Sequence, residues 1–139
     1  MSNTVESSCE HHGLRILVAE DIKINQLVVI AILNRLGYEA DVASNGLEVL
    51  ESLKTKTYDV ILMDICMPEM DGLETSSIIR QQSQEFGEPW IIAVTAHPVL
   101  GDHQKCVQAG MNDYISKPIS LKTVTAALDR YKSCAAQLP

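Results

Sequence analysis

The chain has 139 residues, 46% of them hydrophobic and 21% charged, which suits one compact domain with a proper core. A formal net charge of −7 and a pI near 4.9 argue against direct nucleic-acid binding, which needs a basic surface to neutralise phosphates. No apolar run approaches the ~20 residues of a membrane span, and the start MSNTVESSCEHHG lacks a signal-peptide core, so a soluble cytoplasmic protein with no direct membrane partner is expected.

Residues 1–13 read as a polar tail, in which His11 and His12 beside Cys9 and Glu10 are taken as solvated side chains rather than a metal site. Residues 15–19 (RILVA) form the first predicted strand, and residues 22–36 follow a helical period. In that helix Val28, Val29, Ile32, Leu33 and Leu36 have core spacing, which leaves Ile24, Leu27 and Ala31 as a second apolar stripe. Further strands are expected over 39–43, 60–63, 90–95 and 113–116. Further helices are expected over 46–53, from 72 to about 82, from about 100 to 109, and over 121–131. Asn45 and Ser120 stand as N-caps, and Gly37 and Gly110 as left-handed C-caps. The run QQSQEFGEP reads as a polar loop, residues 132–139 as a loose tail, and Met63, Met67 and Met70 as core and turn filler. The four cysteines Cys9, Cys66, Cys106 and Cys134 show no framework spacing and are expected to be reduced.

Strands that are apolar throughout, alternating with helices, indicate a (βα)5 unit with a parallel sheet covered on both faces. Loops leaving the carboxyl ends of such strands gather on one edge, where ligands bind. Glu20 and Asp21 follow the first strand, Asp64 ends the third, Thr95 the fourth, and Lys117 follows the fifth. Like charges at ~4 Å repel by roughly 4 kcal/mol at an effective dielectric of 20, so three carboxylates there call for a cation. Mg²⁺ is the expected choice, with Mn²⁺ as a substitute, since it takes one or two carboxylates, keeps waters and accompanies phosphate. With Mg²⁺ and Lys117 the carboxylates balance to zero, and an acyl phosphate on one of them leaves a net charge near −1, a setting for phosphoryl transfer. Asp64 stands bare at its strand end because it must be reachable as an oxygen nucleophile.

The acidic pair in VAEDIKIN, the acceptor in LMDICMPEMDG, the hydroxyl in AVTAH and the lysine in DYISKP, in this order and spacing, resemble the receiver domains of two-component response regulators. The resemblance covers residues 14–131 and implies a flavodoxin-like doubly wound sheet of five parallel strands, order 2-1-3-4-5. It also implies that Asp64 takes a phosphoryl group from a phosphohistidine on a histidine phosphotransfer protein or histidine kinase. Asp21, Asp64 and the Cys66 backbone carbonyl would then hold Mg²⁺ directly, and Glu20 through a water. Lys117 would contact the phosphoryl oxygens from a turn with a cis bond to Pro118, and Thr95 and Tyr114 would form a switch pair. Such a domain is not a free-standing enzyme, though it catalyses its own phosphorylation and slow dephosphorylation.

Other expectations concern the rim of the site. Cys66 and His97, each two residues past a site residue, are expected to flank the pocket mouth and set the dephosphorylation rate. The stripe Ile24, Leu27 and Ala31 is expected to dock the helices of the phosphodonor. A haloacid dehalogenase phosphatase would resemble D-x-D at the nucleophile, where this chain has Cys66. A flavodoxin-like FMN carrier would need a hydroxyl-rich loop after the first strand, where the chain has AEDIKIN. A phosphorylation-independent scaffold is the remaining alternative, and its usual sign, loss of Asp64 or Lys117, is not seen. The spellings LVAEDIKINQLV and MNDYISKP resemble receivers attached to hybrid sensor histidine kinases, so the chain reads as a stand-alone regulator or the cytosolic end of such a kinase.

Overall fold

A computed structural model describes residues 13–96 and 100–137. Five strands, β1 (Ile16–Ala19), β2 (Ala40–Ala43), β3 (Val60–Asp64), β4 (Trp90–Thr95) and β5 (Asp113–Ser116), pair in parallel in the order β2-β1-β3-β4-β5. Five helices of nine or more residues connect or follow them: α1 (Lys23–Arg35), α2 (Gly46–Thr55), α3 (Gly72–Gln81), α4 (Leu100–Gln108) and α5 (Leu121–Gln137). None among the described residues is long and apolar enough to cross a membrane.

The period of two along each strand divides the core. Leu17, Ala19, Ile61, Met63, Ile91 and Ala93 face one layer, where Val49 and Leu53 of α2 and Ile79 of α3 pack on them. Ile16, Val18, Val60, Leu62, Ile92 and Val94 face the other, against Val29 and Leu33 of α1 and Val124, Ala127 and Leu128 of α5. Covering on both faces explains why the central strands are apolar at every position. Register aligns the strand ends, with Ala19 opposite Met63 and Asp64 opposite Val94, so the residues after them emerge at one edge.

The expected caps are present: the Asn45 side chain accepts from the Glu48 N–H, and the Ser120 hydroxyl from the Thr123 N–H. Gly37 and Gly110 end α1 and α4 at φ 95° and 91°, where a Cβ would be strained.

Three sequence readings need correction. Val28 is 44% exposed rather than in the core, because it lies about 100° around α1 from Val29 and overhangs the turn after β5 instead of the sheet. The polar run before Trp90 contains a helical turn, Ser83–Phe86, which drops Phe86 into the core and ends at Gly87 with φ 78°. Helix α5 continues to Gln137 instead of giving way to a tail near Tyr131. Residues 132–135 are exposed, so apolar periodicity gives no signal there, and the run KSCAAQ stays helical on propensity without a Gly or Pro to stop it.

Candidate functional site

At the carboxyl edge, β1 delivers Glu20, 3% exposed, and the exposed Asp21. The Glu20 loop is fixed on several sides. Its N–H donates to the Ala43 carbonyl at 3.0 Å, and its Oε2 accepts from the Ile22 N–H at 2.9 Å. The buried Gln26 of α1 donates from Nε2 to the Glu20 carbonyl at 2.6 Å and to the Ser44 hydroxyl at 3.3 Å, tying α1 to the ends of two strands.

Asp64 is the last residue of β3 and is 3% exposed. The chain beyond it is pinned by the Ile65 N–H on the Val94 carbonyl and the Gly72 N–H on the Ile65 carbonyl. A Cβ on Gly72 would lie 2.4 Å from the Asp64 carbonyl oxygen, so the start of α3 touches the acceptor's own backbone. The Cys66 N–H donates to Asp64 Oδ1 at 3.1 Å, while the Cys66 side chain is exposed.

Lys117 closes the cluster. Its N–H donates to the Thr95 carbonyl at 2.8 Å, and its Nζ lies 2.8 Å from Asp64 Oδ2 and 3.7 Å from Glu20 Oε1. The Lys117–Pro118 bond is cis, as the resemblance implies. Thr95, buried at the end of β4, sits opposite Ser116 in register. Tyr114 on β5 is 36% exposed and its ring lies against His103 of α4. His97 lies outside the described residues. Ile24, Leu27 and Ala31 are all exposed, joined by Ile22 and Val28. A groove of about 460 Å³, lined by Asn25, Val28, Val29, Pro118 and Ile119, runs from this part of α1 to Glu20 and Lys117. A larger cavity of about 700 Å³ lies at the opposite end of the sheet among Arg15, Glu39, Asp41, Lys54, Lys56 and Tyr58, away from this chemistry.

Burial pushes the Glu20 carboxyl up to about 7; the Ile22 amide and Lys117 act against this and Asp64 adds to it. Burial pulls the Lys117 ammonium down, but its hydrogen bond and charge interaction with Asp64, with help from Glu20, outweigh this and leave it raised. One lysine thus serves crowded acids. Glu20, Asp21 and Asp64 each bring a carboxylate oxygen within 4.8 Å of the other two. An all-oxygen donor set with this excess of negative charge fits a hard dication of the Mg²⁺ type.

The position of this cluster, at one edge of a 2-1-3-4-5 sheet, defines the receiver class, and the chain matches the response regulator receiver domain family over residues 16–129. It belongs to that family. Its sequence is 38% identical over 119 residues to the aerobic respiration control sensor protein ArcB of Escherichia coli K12, a match covering 86% of this chain and 15% of ArcB. The chain is thus similar to one segment of a much longer protein. Among solved structures it resembles the receiver domain of the sensor histidine kinase PA1611 from Pseudomonas aeruginosa PAO1, which has a magnesium ion coordinated in its active-site cleft. That likeness has a TM-score of 0.77 at 38% identity, over 85% of this chain and 96% of the other. It also resembles the receiver domain of Ssk1 from Saccharomyces cerevisiae, solved with the histidine phosphotransfer protein Ypd1, with a TM-score of 0.81 at 26% identity over 90% and 92% of the two chains.

Sequence reasoning missed Gln26, Gly72 and His103. A glycine opening a helix at the end of the acceptor loop was a usable signal for Gly72. Periodicity does not mark the other two, since the Glu20 and Ser44 partners of Gln26 and the Tyr114 partner of His103 lie outside their own helices.

Proposed function

We propose that this receiver domain carries phosphoryl groups in a His-Asp phosphorelay, with Asp64 as acceptor. The observation that carries this reading is the Lys117 Nζ at 2.8 Å from Asp64 Oδ2, inside a cluster where Glu20 and Asp21 supply further oxygens. An Asp64 oxygen forms a bond to phosphorus as the bond from phosphorus to the partner's imidazole nitrogen breaks. Lys117 is placed to follow the charge from the carboxylate to the phosphoryl oxygens, and Thr95 offers a hydroxyl from the adjacent strand. Asp21, Asp64 and the Cys66 carbonyl would hold Mg²⁺, or Mn²⁺ in its place, with Glu20 acting through a water. The ion supplies charge neutralisation for the transferring group. Phosphorylation then draws Thr95 toward the phosphate and the Tyr114 ring inward.

The donor is a histidine phosphotransfer protein or the phosphohistidine domain of a histidine kinase, docking on Ile24, Leu27 and Ala31 and on the groove beside Val28. The apolar groove leading to the acids supports this, because a helical partner packed there brings its histidine to Asp64. The longer kinase relatives support placement in a hybrid kinase, with this domain in a cytoplasmic setting.

Intact mass after incubation with Mg²⁺ and acetyl phosphate tests the core of this reading. The native chain gains one phosphoryl group and Asp64→Asn gains none; no gain in the native chain, with Mg²⁺ binding shown separately, overturns it. Ile24→Ala with Leu27→Ala should spare phosphorylation by acetyl phosphate yet slow transfer from a phosphohistidine protein. Cys66→Ala and His97→Ala should alter the phosphoryl half-life, and unchanged half-lives would remove both from the rim assignment.

A further inference from the structure

Tyr114 belongs to the edge strand β5, paired in register with the small, buried Ala93 of β4. Its backbone is held. The Tyr114 N–H donates to Asp113 Oδ1 at 2.8 Å, and Asp113 is gripped through both oxygens by Arg130 at 2.7 and 3.2 Å. With the strand anchored, the freedom left to Tyr114 is rotation of its side chain. Outward, the ring meets His103, which projects from the first turns of α4 and is itself exposed. The two ring centroids are 4.7 Å apart at an interplanar angle of 43°, a separation at which aromatic pairs attract.

We infer that His103 is a positioning residue for the switch: its imidazole holds the Tyr114 ring outward and so sets how much of the unphosphorylated protein is already in the switched arrangement. The inference rests on the reading of Tyr114 as part of the switch pair. An inward ring leaves α4, so the stack with His103 exists in one of the two states only. A contact made in only one state biases the equilibrium by its own free energy, and where phosphoryl transfer goes through the other state it lowers the population that reacts. The worth of an aromatic pair corresponds to roughly a two- to tenfold change in that equilibrium. His103 thus acts as a brake whose strength is set by one side chain on α4, without contact with the acids.

The test uses the full chain with ring-labelled tyrosine, the Tyr114 resonance being assigned with Tyr114→Phe. His103→Ala should move that resonance in the unphosphorylated protein toward the position it takes with Mg²⁺ and acetyl phosphate, and raise the initial phosphorylation rate about two- to tenfold. His103→Phe, which keeps a ring at this place, should restore both. In a Tyr114→Ala protein, His103→Ala should leave the rate unchanged. An unmoved Tyr114 resonance in His103→Ala, or the same rate effect with and without the Tyr114 ring, overturns the inference. If the native Tyr114 resonance ignores phosphorylation seen by mass, the switch reading fails and takes the inference with it; if it responds to phosphorylation but ignores His103, only the inference fails.

Discussion

At the amino end of the sheet each of these charged groups has its own hydrogen-bond partner: Asp41 accepts from Lys56 and Tyr58, Asp59 from the Arg15 backbone, and Asp113 from Arg130, while Arg80 donates to the Gly110 carbonyl and to Asn112. At the carboxyl end Glu20, Asp21 and Asp64 crowd together, two of them buried, with Lys117 beside Glu20 and Asp64. The same strands end in opposite electrostatics. Pairing at one end serves stability, whereas crowding at the other stores repulsion that a bound cation relieves.

The largest effect expected from probing this contrast is at Gly72. Alanine there would place a Cβ 2.4 Å from the Asp64 carbonyl oxygen and 3.0 Å from the Ile65 Cα, both backbone atoms. We expect Gly72→Ala to cost about 2–3 kcal/mol in chemical denaturation and to abolish phosphorylation. A stable, active variant would mean that the acceptor loop is softer than its contacts suggest.

Removal of a cation at each end compares them directly. Lys117→Ala leaves Glu20 and Asp64 without their shared partner and should cost about 2 kcal/mol, part of it recovered when Glu20 takes a proton. Arg130→Ala, whose side chain is 51% exposed, should cost less than 1 kcal/mol. Equal losses by urea titration would break the distinction between the two ends. Asp64→Asn should instead stabilise the metal-free protein by about 1 kcal/mol, since it relieves like-charge crowding, a gain that Mg²⁺ should diminish.

The smallest effect is at the amino end and depends on pH. The Tyr58 hydroxyl, and then Lys56, hold the Asp41 carboxyl below its ordinary value of 3.8. A depressed folded value contributes stability that is present above pH 3.8 and lost as pH falls through the lower folded value. Tyr58→Phe should therefore cost under about 1 kcal/mol at neutral pH, discounted because Asp41 is largely open to solvent. The gap from the native chain should close on acidification, as followed by denaturation at stepped pH. A gap that widens in acid would assign the effect to packing.

The central strands β1, β3 and β4 were legible in the sequence because burial on both faces leaves a local mark, four or five apolar residues in a row, whereas the edge strands β2 and β5 carry polar residues and exposed positions. The edge residues were legible too, because a parallel sheet sends every strand's carboxyl end to one edge, so Glu20, Asp21, Asp64, Thr95 and Lys117 could be gathered from strand positions alone. The last helix was read short because its final turns are exposed, and exposure removes the period on which the reading depended.

Spacing alone determined which residues would share an edge and which helix carried surplus apolar side chains. Only the tertiary structure decided that Val28 belongs to the surface groove and not to the core, that Gln26 braces the Glu20 loop, and that His103 lies on Tyr114. The reason is physical. A repeat of two or 3.6 residues fixes the direction of a side chain relative to its own element, but what it meets depends on how that element is set against its neighbours, and that is settled by packing between residues distant in the chain.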